Sequence, residues 1–161
     1  MKKLLAIAVA LSALSLPAMA QEQLQRVEVF GGYQFSHFNP SIDANGWNLA
    51  INGNVNRWLG ITGDFSGVYK NGDHIYSFMA GPTFSARIKR VTPFAHWLIG
   101  GASSCGSCDN AFAMAVGGGF DVNANDHFAI RVLQADWLLF GAGGVTDKKN
   151  ARLSTGVVFR F

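Results

Sequence analysis

The final eleven residues, Ala151-Arg152-Leu153-Ser154-Thr155-Gly156-Val157-Val158-Phe159-Arg160-Phe161, alternate large apolar side chains with small or charged ones and stop on an aromatic. Successive side chains of a β-strand point to opposite faces. Leu153, Thr155, Val157, Phe159 and Phe161 therefore share one face, and Arg152, Ser154, Gly156, Val158 and Arg160 the other. A soluble sandwich strand alternates in the same way, but a chain that finishes on such a strand suits a barrel closed by its last strand.

The N-terminus agrees with export. Lys2 and Lys3 precede an uncharged, Leu- and Ala-rich stretch from Leu4 to Leu16, followed by Pro17-Ala18-Met19-Ala20. That small-x-small ending marks residues 1–20 as a signal peptide cleaved before Gln21. No later segment reaches the roughly eighteen uninterrupted apolar residues of a transmembrane helix, so a membrane location requires strands. Residues 21–161 are expected to form one domain, long enough for eight strands of about ten residues with their turns. The 13 Lys and Arg exceed the 10 Asp and Glu by three charges. Two of those lysines lie in the leader, so the exported chain is nearly neutral and nucleic-acid binding gains no support. The 19 Gly and 13 Phe fit a β-rich, tightly packed chain rather than disorder.

Alternation recurs along the chain. Val27, Val29, Gly31, Tyr33 and Phe35 oppose Glu28, Phe30, Gly32, Gln34 and Ser36; Trp47, Leu49, Ile51, Gly53 and Val55 oppose Asn48, Ala50, Asn52, Asn54 and Asn56. Four Asn on one face cannot line a dry core without partners, which predicts a polar, networked interior. Strands follow at Leu59–Ser66, at Tyr76–Ser85 with a bulge or register change expected at Pro82, and at Pro93–Gly101. In that fifth strand Phe94/His96/Leu98 and Ala95/Trp97/Ile99 are equally plausible outer sets. Two more strands occupy Phe112–Val122 and Phe128–Trp137, the latter broken in parity at Val132-Leu133-Gln134 as by a bulge.

The result is an all-β, eight-stranded antiparallel up-and-down transmembrane β-barrel. Brief connections at 56–58, 87–92 and 123–126 contrast with longer ones at 37–46, 69–74, 102–111 and 141–150, the asymmetry of periplasmic turns and outer loops. Phe35, Trp47, Tyr76, Phe112 and Trp137 fall toward the loops, and Trp58, Phe84, Phe120, Phe128 and Phe161 toward the turns, as two interfacial girdles. A soluble lipocalin-type barrel would reverse the two faces, against these girdles.

In Val91-Thr92-Pro93-Phe94-Ala95-His96, Gly117-Gly118-Gly119-Phe120-Asp121-Val122, Gln134-Ala135-Asp136-Trp137 and the last ten residues, the chain resembles the small outer-membrane β-barrel family with an OmpA-like transmembrane domain. The resemblance covers residues 21–161. It implies residence in the bacterial outer membrane among its lipids and lipopolysaccharide, and insertion by the outer-membrane assembly machinery with Phe161 as the terminal recognition residue. Family members serve as anchors, adhesins, surface-protection proteins and narrow pores. The chain departs from the parent OmpA pattern in carrying no peptidoglycan-binding domain after the final strand, so cell-wall tethering is not expected.

An eight-stranded barrel is just wide enough inside for side chains to fill it. Closure brings Arg160 near Glu28 at the periplasmic end; Asp136 and Arg152 flank the loop end, with Asp64 and Arg131 between. These six residues are expected to form a lumen network that plugs a monomeric barrel, the alternative being a narrow path for water or small ions. Cys105 and Cys108 sit in a Ser- and Gly-rich loop, where an oxidising compartment favours a local disulfide. A metal site lacks further ligands and a thioredoxin-type role lacks its βαβ setting. Neither a cofactor nor a catalytic residue is expected, since His37, His74, His96 and His127 are scattered and none has an evident nucleophile beside it, as a lipid A-modifying enzyme would require. A surface adhesin would have loops of only about ten residues to offer a partner.

Overall fold

The computed structural model describes residues 26–38, 42–70, 73–104, 110–142 and 145–161. Eight strands follow one another as β1 (Val27–Phe38), β2 (Ile42–Asn54), β3 (Leu59–Lys70), β4 (Asp73–Ser85), β5 (Val91–Ser104), β6 (Asn110–Asn123), β7 (Phe128–Ala142) and β8 (Val145–Arg160). Each pairs antiparallel with the next, and β1 pairs with β8 to close the barrel. Closure leaves no strand edge, so the ladders pair inside the wall, which is the condition for spanning hydrocarbon with strands. Phe161 N donates to Val27 O at 2.9 Å and extends this seam past the last strand residue.

The strands run to 12–16 residues, longer than the expected ten, because the ladders continue into segments anticipated as loops. β1 and β2 pair as far as Phe38 and Ile42, and β7 and β8 as far as Ala142 and Val145. Cys105 and Cys108 fall outside the described residues.

Alternation sorts the wall as the side-chain period requires. Ile61 is 61% exposed on the outer face, whereas Leu98 on the inner face is wholly buried. An outer surface of Ile51, Ile61, Phe78, Trp97, Ile99, Val116 and Trp137 has no place in water and matches acyl chains. β5, ambiguous in sequence, turns Phe94, His96 and Leu98 inward and Ala95, Trp97 and Ile99 outward.

Three local expectations are corrected. Pro82 causes no register shift: β3 and β4 keep one register through Ile61↔Pro82, and β4 resumes with β5 at Thr83↔His96 in the same alignment as Ala80↔Ile99. Proline lacks only its own N–H, so the ladder skips that position and continues. Asn56 does not line the interior; its Oδ1 accepts from the Trp58 and Leu59 amides at 3.0 and 2.8 Å and shapes the β2–β3 turn. The aromatics are not confined to two girdles, since Phe65, Phe78 and Trp97 lie exposed at mid-strand. Stacked Trp58–Phe84 and edge-on Phe128–Phe159 do mark the turn end, and Tyr69–Tyr76 the opposite side. The bulge in β7 is present: Val132 and Leu133 both face outward, and pairing shifts between Arg131 and Gln134.

Candidate functional site: the barrel lumen

Inward-facing positions bring the charges together because strand alternation aims them all at one axis. At mid-height Arg152 of β8 reaches across the lumen to Asp64 of β3, Nη1 donating to Oδ1 at 2.8 Å, while its Nε donates to Asp136 Oδ2 at 2.7 Å. Asn48 Nδ2 donates to Asp64 Oδ2 at 2.8 Å. His96 Nε2 stands 2.7 Å from Asp136 Oδ1; the carboxylate only accepts, so Nε2 carries the proton. All four of these charged or ionisable side chains are almost fully enclosed.

Toward the turns the network continues without a break. Gln134 Nε2 donates to Asp136 Oδ2 at 2.7 Å and its Oε1 accepts from Arg131 Nη1 at 2.8 Å. Arg131 Nε donates to Asp121 Oδ1 at 2.8 Å. The Arg131 guanidinium is sandwiched between the Phe30 and Phe94 rings, 4.4 and 4.1 Å from their centroids. Arg160 lies 3.1 Å from Glu28, and Arg87 Nη2 donates to Glu28 Oε1 at 2.7 Å.

The six residues singled out from sequence thus all face the lumen, with two corrections to their pairing. Asp136 and Arg152 sit at mid-height instead of flanking the loop end, since they are register partners near the middle of β7 and β8. Arg131 takes Asp121 as its carboxylate, not Asp64, because Asp121↔Arg131 are direct partners on adjacent strands and Asp64 is occupied by Arg152. Asp121, His96, Gln134 and Arg87 were not singled out. Strict alternation from Phe120 and Val122 already placed Asp121 inward, but β5's ambiguous parity hid His96.

Glycine clears the space these side chains need. A Cβ at Gly117 would collide with Asp136 Oδ1 and the Ala135 carbonyl, so the bare backbone of β6 is what lets the Asp136 carboxylate sit against the wall.

Beyond mid-height the inner wall from β4 to β7 changes character. Met79, Leu98, Ala102, Ala113, Ala115 and Leu138 form one buried apolar cluster, packed over by Phe38, Ile75 and Phe140. Below it, a pocket of about 30 Å3 lies among the polar side chains, room for one or two waters.

Residues 6–161 match the family described as outer membrane protein beta-barrel domain. Among solved structures, the chain is similar to Neisserial surface protein A (15% identity, 84% of this chain and 96% of that one, TM-score 0.64). It is also similar to Ail, the attachment invasion locus protein of Yersinia pestis (19%, 84% and 96%, TM-score 0.53), and to the N-terminal β-barrel domain of Pseudomonas aeruginosa OprF (10%, 85% and 98%, TM-score 0.55). No curated protein sequence matches significantly. At these identities the solved structures share a fold, whereas the family match spans nearly the whole chain. A closed barrel with an apolar exterior and a charged, enclosed interior, carrying that match, belongs to the outer membrane protein beta-barrel domain family and resides in the bacterial outer membrane.

Proposed function

We propose that this protein is a closed structural barrel of the outer membrane, its lumen plugged by its own side chains, with no transport through it and no catalysis. The observation that carries this reading is the filling of the interior: charges that neutralise one another from mid-height to the turn end, then an apolar cluster between β4 and β7. Ions entering from either side meet a buried, ion-paired network or, on the β4–β7 side, an apolar wall. His96 is held by Asp136 inside the wall, out of reach of membrane lipid, and His37 is paired with Asp43 at 2.6 Å on the outer face. In the same reading residues 1–20 are removed on export, Phe161 addresses the assembly machinery from its exposed position, and the barrel lives as a monomer among phospholipid and lipopolysaccharide.

Conductance of the refolded protein in a planar bilayer tests the plug. The expected trace is flat at physiological salt, and reproducible unitary steps from pure protein would overturn it. Lipid A from overexpressing cells should be unchanged in acylation; a new acylation pattern would revive an enzymatic role.

A further inference from the structure

The turn end of the barrel holds a cavity of about 310 Å3 between segments 86–90 and 124–127, at the lower size limit of small-molecule sites. Among the described residues its walls carry Arg87, Lys89, Arg90 and Arg160 against a single carboxylate, Asp126, with Asn123 beside them. Glu28, which engages Arg87 and Arg160, lines the lumen side and not this cavity. Lys89 and Arg90 are exposed and enter no ion pair among the described residues. Arg160 supplies a second, independent sign. Its side chain is 3% exposed, yet Nη2 has no hydrogen-bond partner among the described residues; its ion-pair contact with Asp121 Oδ2 spans 3.6 Å. An enclosed N–H left without a hydrogen bond calls for an acceptor that the described residues do not supply at bonding distance.

We infer that this cavity binds a phosphate-type anion, the chemistry shared by an anionic phospholipid headgroup and by free phosphate. Guanidinium groups match tetrahedral oxyanions with paired N–H donors, and Lys89 adds a compact charge at the rim. Asp126 opposes the anion, so its removal should improve binding.

Two arms separate the sources. Inorganic phosphate is titrated into protein in octyl glucoside micelles, which carry no phosphate, with amide NMR shifts followed around Arg90 and Asn123. Separately, protein from vesicles of equal phosphatidylcholine and phosphatidylglycerol is released into the gas phase and its retained lipids weighed. Saturable shifts in the first arm assign a soluble anion; selective retention of phosphatidylglycerol in the second assigns a headgroup. Absence of both overturns the proposal. In whichever arm responds, Lys89→Gln/Arg90→Gln should weaken binding about tenfold and Asp126→Asn should strengthen it, while Arg57→Gln, on another turn, leaves it unchanged. Equal loss in Arg57→Gln, or none in the double variant, would mean a diffuse charge effect and no site.

Discussion

From mid-height to the turns, four carboxylates and four guanidiniums among the described residues occupy the lumen, whereas toward the loops the β4–β7 wall presents Met79, Leu98, Leu138 and three alanines. The two regions fail differently. An ion network is cooperative, because deleting one member strands the charge of another in a low-dielectric site. An apolar cluster fails by degrees, in proportion to the volume removed. In the proposed plug the two regions divide the labour: the ionic region keeps the interior neutral, and the apolar wall offers ions no ligand.

The sharpest way to break that contrast is Arg152→Ala, which leaves Asp64 and Asp136 facing each other without their shared cation. It should cost about 3–5 kcal/mol in urea unfolding of the vesicle-embedded protein, followed by tryptophan fluorescence. Adding Asp64→Asn and Asp136→Asn to Arg152→Met should restore most of the loss; a triple variant no better than Arg152→Ala would show that charge balance is not the organising term. Leu98→Ala probes the apolar region. Its loss should be smaller, about 2–3 kcal/mol, since pliable Met79 settles into part of the space. A larger loss than for Arg152→Ala would reverse the ranking of the two regions.

Gly117→Ala lies where the regions meet and pushes the Asp136 carboxylate off the wall. A cost of about 1–2 kcal/mol is expected, with the His96 ring resonances shifted in NMR spectra; unmoved resonances would mean that the glycine serves the backbone alone. Phe94→Leu keeps an apolar side chain but removes one face of the Arg131 sandwich. About 1 kcal/mol should be lost, and a neutral result would assign Arg131 wholly to its bonds with Asp121 and Gln134.

Much of this was legible from local pattern. Leu153 and Arg152 face opposite ways whatever surrounds them, so the lipid-facing and lumen-facing sets of β1, β2, β6 and β8 could be read directly. β5 could not, because Phe94, Trp97, Leu98 and Ile99 are all apolar and its parity rests on which neighbours they meet. Pro82 misled for a related reason: a missing N–H is visible in sequence, while the wall's capacity to skip one rung is not. Asn56 misled because the residue that ends a strand and the one that starts a turn share the same chemistry.

By itself the sequence determined the class of the fold, the two faces of most strands and the inward placement of the charges, since all three follow from a period of two residues and the insolubility of apolar side chains in water. Only the tertiary structure decided which charges meet. Arg152 and Asp64 are 88 residues apart on strands that do not pair, and they touch because closure sets the stagger and width of the cylinder across which a long guanidinium side chain can reach. The division of the lumen into ionic and apolar regions was decided there too, for a residue's height along the axis depends on every register between it and the seam.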